Sequence, residues 1–306
     1  MVVELIAVPS GESADLIADW LEAVAFLDAS RTISKASAID ALHGAGVDNA
    51  KGRVNSAWRE LRARSGTLGG LYPFEVRDEA LVFTGKSPDD AVYSFLLLLS
   101  TAMRSSQNPK PYDETRLKPL TKAFEHLAVH SLSARFSGGE LLNIGDTRDP
   151  DLPQEFVDCL EHVATKSGEP RGTDPIPDRV GDGGADILAW YPMGDDRPGQ
   201  LFFIAQCTVG DDLEGASEEI SNRRWDGFIH TYVPKVKVIA FPYAFTDYGT
   251  LGKTWTEWSA RTGAILLDRI RLAKTSADRP LSDKLQSELT TWLATLQSGF
   301  LLDAGK

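Results

Sequence analysis

Apolar residues recur at three- and four-residue spacing through Leu16, Ile17, Trp20, Leu21, Val24 and Leu27, which predicts a helix over residues 11–29 with Ser13 at its N-cap. A second helix is expected from Ser34, with Ala38, Ile39 and Leu42 inward and Gly44 closing it. A third opens at Asp48 and runs through Val54, Trp58 and Leu61 to about Arg64, where the Gly66–Gly70 stretch ends it. Two short strand-like pieces follow, Leu71–Val76 and Leu81–Phe83, with Arg-Asp-Glu between them. Three helices and then a β-hairpin is the order of a winged helix, in which the third helix is the one that reads DNA. Its outer face would carry Lys51, Arg53, Arg59 and Arg62. A small helical domain with a solvated basic face fits the same pattern.

The pattern then changes twice. Pro88–Met103 is strongly apolar and is expected as a buried helix; the polar Ser105–Tyr112 stretch reads as a linker. Residues 113–135 form an amphipathic helix through Leu117, Leu120, Phe124, Leu127 and Leu132, and residues 153–167 form another. After a loop rich in Gly, Pro and Asp from Gly168 to Gly184, strand candidates alternate with helices. The strands are Asp186–Tyr191, Leu201–Cys207, Lys235–Phe241 and Ala264–Asp268; the helices are Glu214–Tyr232 and 280–297. The almost wholly apolar Leu201–Cys207 suits a central strand buried on both faces, and the alternation indicates an α/β domain. The chain is therefore divided near residue 110, into a mainly α, winged-helix-like domain over 1–110 and an α/β domain over 111–306.

The chain has 306 residues, 42% hydrophobic and 25% charged, enough for two ordinary globular domains. Its two cysteines, Cys159 and Cys207, have neither metal-ligand spacing nor a disulfide framework, so a reducing cytoplasm is the expected setting. No signal peptide and no membrane span is expected, the longest apolar run, near Phe95–Leu99, being far too short. The net charge of −12 argues against a protein that coats DNA by bulk charge. It leaves room for an enzyme that gathers acids for a metal and keeps its basic residues local. Residues 31–64 hold seven Lys and Arg against three Asp and Glu, a local balance of +4.

Asp186 begins one strand candidate and Gln206 ends the next, so their side chains are able to converge on one metal ion, Gln206 through its amide oxygen. Carboxylates on adjacent strands suit Mg²⁺-dependent phosphodiester hydrolysis, which also needs a cation to orient water or stabilise charge. The segments Asp182-Gly183-Gly184-Ala185-Asp186 and Phe203-Ile204-Ala205-Gln206-Cys207, with Phe124-Glu125-His126-Leu127 on a preceding helix, resemble the PD-(D/E)XK nuclease superfamily, in particular its Mrr-like restriction endonucleases. The longer pattern from Gly181 through Trp190 and on to Gly210 is also similar to nuclease-like proteins encoded in bacterial phage-defence loci. The resemblance spans roughly residues 115–270 and is specific around 181–210. It implies a restriction-endonuclease-like fold, a mixed sheet flanked by helices, and Mg²⁺ or Mn²⁺ held by Asp186, Gln206 and Glu125. It further implies a DNA endonuclease in antiphage defence, with a partner protein of a defence system possible.

One position departs from that pattern. The superfamily lysine falls at Thr208, and no lysine lies in the following Val209-Gly210-Asp211-Asp212. Lys235, Lys237, Arg223 and Arg224 are the replacement cations within reach in sequence. The alternative is a degenerate module that binds nucleic acid or scaffolds a complex without cutting. A cation beside Asp186 and Gln206 would favour the enzyme, an acid-only neighbourhood the module. For most other residues the simpler reading is structural. Asp182 fits a turn; Glu155 and Glu161 compete with Glu125; His126 and His130 read as surface or core histidines; Cys207 reads as packing. Arg148 and Arg171 either contact phosphate or make loop salt bridges.

Overall fold

The computed structural model describes residues 6–9, 13–85, 90–104, 114–176, 182–195, 197–244 and 254–303. The Ser105–Tyr112 linker, Pro88, Gly181 and the side chain of Leu117 lie outside the described residues. The chain forms an α/β structure in two compact units. One comprises residues 1–123, 242–255 and 268–306, the other 124–241 and 256–267. A single division near residue 110 does not describe this arrangement, because the chain leaves the second unit at 241 and again at 267 to complete the first.

The first unit opens with α1 (Ala14–Leu27), β1 (Thr32–Ser34), α2 (Lys35–Gly44) and α3 (Ala50–Leu68), then β2 (Phe74–Val76) and β3 (Ala80–Phe83). Ser34 caps α2 by accepting from the Ser37 N–H at 3.0 Å. Ser13 occupies the N-cap of α1 without a side-chain bond. The three strands form an antiparallel sheet in the order β1-β3-β2. β1 was not anticipated, being three residues long and defined only by its pairing with β3. α3 continues to Leu68 because Gly66 is tolerated inside the helix; Gly69, at φ +57°, ends it. α4 (Asp90–Arg104) is the apolar helix, with Phe95–Leu99 fully buried, and it packs on α1, α10 (Arg269–Ser276) and α11 (Asp283–Asp303).

An ionic network lies inside this unit. Arg64 on α3 and Arg269 on α10 meet Asp19 and Glu22 on α1 at 2.6–3.2 Å, all four side chains at most 6% exposed. Tyr72 and Tyr93 donate to Glu22, and Glu60 pairs with Arg64. Burial pushes the Asp19 carboxyl up, but the two guanidinium groups outweigh it and hold Asp19 below the usual carboxylate range. Arg64 thus adds nothing to the basic surface for which the sequence balance counts it.

The second unit holds a five-stranded sheet in the order β4-β5-β6-β7-β8, formed by Glu140–Asn143, Ile187–Tyr191, Leu201–Cys207, Val236–Ala240 and Ala264–Leu267. β4 pairs with β5 and β5 with β6 antiparallel; β6 pairs with β7 and β7 with β8 parallel. β6 is central, as its apolar composition requires. α5 (Glu114–Arg135) precedes β4, and α6 (Phe156–Ser167) lies between β4 and β5. The single helix expected over Glu214–Tyr232 is two short ones, α7 (Leu213–Glu219) and α8 (Asn222–Asp226), and α9 (Trp255–Thr262) precedes β8. The break at Ser221 has a physical reason: the Asn222 amide is pinned to the Lys235 backbone by two bonds at 3.0 and 3.2 Å. No helix among the described residues is long and apolar enough to cross a membrane.

Candidate functional site

Strand direction decides which residues meet. β4 and β6 end, and β5 begins, at the same end of the sheet. Asp186 stands one step before β5, where the Ile187–Ala205 pairing sets it opposite Gln206. Its N–H donates to the Ala205 carbonyl at 2.9 Å and its Oδ2 accepts from the Cys207 N–H at 2.6 Å. Its own carbonyl accepts from the Ile144 and Gly145 N–H groups after β4. A Cβ at residue 145 would stand 2.6 Å from Asp186 Oδ1, so glycine there leaves room for the carboxylate.

Glu125 reaches the same end from α5. Its Oε2 accepts from the Thr147 hydroxyl at 3.0 Å and the Thr147 N–H at 3.2 Å. Asn143, at the end of β4, holds Thr147 in place through its side-chain amide. Asp182 forms an Asx turn, Oδ1 accepting from the Gly184 N–H at 2.8 Å. Gly183, at φ +71°, sits against Phe156, Trp225 and Phe228, which a side chain there would strike at 2.8–3.2 Å.

The carboxyls act on one another. Burial, with Asp146 and Asp182 adding to it, pushes Glu125 up to about 7 against the Thr147 bonds that lower it. Burial pushes Asp186 well above the carboxylate range; Glu125, Asp182 and Asp146 reinforce this, and the Cys207 N–H opposes it. Asp182 is raised by burial and by Asp146, with Arg148 pulling the other way. The Cys207 thiol is pushed well above its ordinary value by burial and by Asp186 and Glu125, which suits packing rather than nucleophilic attack.

The two replacement lysines are engaged elsewhere. β7 runs parallel to β6 with Ile239 beside Gln206, so Lys237 and Lys235 lie toward the opposite end, roughly 7 and 13 Å back along the strand. Lys235 pairs with Asp226, and Lys237 donates to Ser217. Arg223 and Arg224 are exposed on α8. Arg148 donates to the carbonyls of Ile144, Pro153 and Gln154, and Arg171 to Glu161 and the Phe228 carbonyl; both hold loops.

Gln206 turns its Nε2 to the Glu219 carboxylate at the end of α7, and its Oε1 is buried without a hydrogen-bond partner. Glu219 escaped the sequence reading. Thirteen residues separate it from Gln206, and only the return of α7 over the sheet makes them neighbours. Among the described residues, no group of three or more His, Cys, Asp and Glu side chains is arranged to hold a metal ion. Among the described residues, none donates a hydrogen bond to Asp186 Oδ1 or Glu125 Oε1, and Gln206 Oε1 is buried without a partner; this third oxygen comes from a residue type outside that group.

On the first unit, Lys51, Arg59 and Arg62 lie on the exposed stripe of α3. Arg62 is paired with Asp78 at 2.7 Å. Arg53 is half-buried and bonded to the Asp48 carbonyl at 2.7 Å, so it is not part of that open stripe. No family model, no curated protein and no solved structure matches the chain.

Proposed function

We propose that this chain is a PD-(D/E)XK-type, metal-dependent nuclease that cleaves phosphodiester bonds in DNA. The observation that carries the reading is the meeting of Glu125, Asp186 and Gln206 at one end of a mixed sheet, in the element order α5, β4, α6, β5, β6, α7, α8, β7. The oxygens fit a hard divalent cation: two carboxylates whose charge is costly without a counter-ion, and an amide oxygen with no other partner. Asp186, Glu125 and Gln206 would hold Mg²⁺ or Mn²⁺, which supplies an activated water and neutralises phosphate charge when bound. Asp186 is kept in place by the Cys207 N–H, and Glu125 by Thr147. Delivery of DNA falls to the first unit. Its element order and β1-β3-β2 sheet support the winged-helix reading, with α3 presenting Lys51, Arg59 and Arg62. A role against phage or other foreign DNA, with a partner protein, rests on the sequence resemblance, and a cytoplasmic setting on the cysteine usage.

A specific observation favours a second reading, a module that binds nucleic acid without cutting it. The charges that act most on Asp186 are acids, and Lys235 and Lys237 are occupied away from the site. Cleavage of supercoiled plasmid with Mg²⁺ or Mn²⁺ separates the two. Metal-dependent nicking by the wild type and none by Asp186→Ala is expected of the enzyme. DNA binding with no nicking under either metal would leave the module, and nicking by Asp186→Ala would refute this site.

A further inference from the structure

Asp186 is bonded to the residues on both sides of Gln206, through the Ala205 carbonyl and the Cys207 N–H. Register thus sets Asp186 opposite Gln206, while the Gln206 amide meets the Glu219 carboxylate from α7. An amide has one end that donates and one that accepts. If its NH₂ turned to Asp186, the end presented to a cation would be a donor, and the site would repel the ion. Glu219 takes that NH₂. Oε1 is left facing away from Glu219, buried and without a partner. The loop that carries Asp182 backs the arrangement. Gly184 lies at φ +84°, and a Cβ there would meet the Glu219 Cβ at 2.9 Å, so the glycine gives Glu219 the space to reach Gln206.

We infer that Glu219 is a positioning residue that fixes the Gln206 amide with its oxygen, not its nitrogen, presented at the Asp186 site. This rests on the reading of that site as a divalent-cation centre. Glu219 stands in for the negative charge that a glutamate at position 206 would itself supply: it adds no ligand but decides which atom of a neutral ligand is offered.

Isothermal titration of the full chain with Mn²⁺ tests this without any cleavage readout, with far-UV circular dichroism as the check on folding. Glu219→Gln, which donates as readily as it accepts, is expected to weaken Mn²⁺ binding about tenfold, the usual cost of losing a group that orients a ligand. The same substitution made in a Gln206→Glu background, where there is no amide to orient, is expected to change binding less than about twofold. Equal losses in both backgrounds would mean that Glu219 acts only by charge, and an unaltered affinity in the single variant would mean that it does nothing; either result overturns the inference while leaving the cation site standing. Absence of Mn²⁺ binding by the wild type would instead bring down the cation site, and this inference with it.

Discussion

Glu125 keeps its proton far above the pH at which an exposed glutamate loses it, and that has a sign for stability. Its ordinary value is 4.5 and its folded value about 7. Between those limits the folded protein holds a proton that the unfolded chain has lost, so stability is full below about pH 4.5 and falls as pH rises through 7. Glu125→Gln removes the buried charge while still accepting from Thr147. It should stabilise the protein by on the order of 1–2 kcal/mol at pH 8, allowing for residual solvent, and by nothing at pH 4. Thermal unfolding at the two pH values measures this; an equal effect at both would contradict it. Single residues were unevenly legible. Asp186 and Gln206 announce themselves through the Asp-Gly-Gly-Ala-Asp turn and the apolar strand. Glu219 and Thr147 sit in ordinary polar sequence, and nothing local distinguishes them.

At the scale of elements, long periodic segments were readable and short ones were not. α1, α4 and α6 carry stripes that a helix alone satisfies. β1 and β4, with three and four residues, exist because β3 and β5 pair with them. α3 is the element with the most direct consequence. Its exposed stripe carries Lys51 and Arg59 without an acidic ion-pair partner among the described residues, whereas Arg62 shares its charge with Asp78. If α3 lies on DNA, Lys51→Ala and Arg59→Ala should each weaken binding to every sequence and lower the slope of log K against log salt by about 1. Arg62→Ala should do less. Fluorescence anisotropy with a labelled duplex across a salt series gives the slopes; unchanged slopes in both variants would remove α3 from the interface.

For the molecule as a whole, a net charge of −12 is distributed with purpose. Part of the acid lies in the sheet-end site and part inside the first unit, where Asp19 and Glu22 are matched by Arg64 and Arg269. Arg269 comes from the last segment of the chain, so the first unit is completed by residues 250 positions from its opening helix. Removing one partner of a buried ionic network leaves the others uncompensated. Arg269→Ala should therefore cost about 3–5 kcal/mol, and adding Asp19→Ala should restore part of it. Denaturant unfolding of the two variants decides; simple addition of the two losses would mean that these charges do not act on each other.

The sequence by itself determined the class of the fold, the identity of the central strand and the two residues, Asp186 and Gln206, that mark the candidate site. Those features depend on periodicity and on turn chemistry, which are local. Tertiary structure alone decided that Lys235 and Lys237 point their charge elsewhere, that Arg64 is a core residue and that Glu219 reaches Gln206. Each of these depends on strand direction or on helix packing, which bring together residues far apart in the chain, and no spacing along the chain records that meeting.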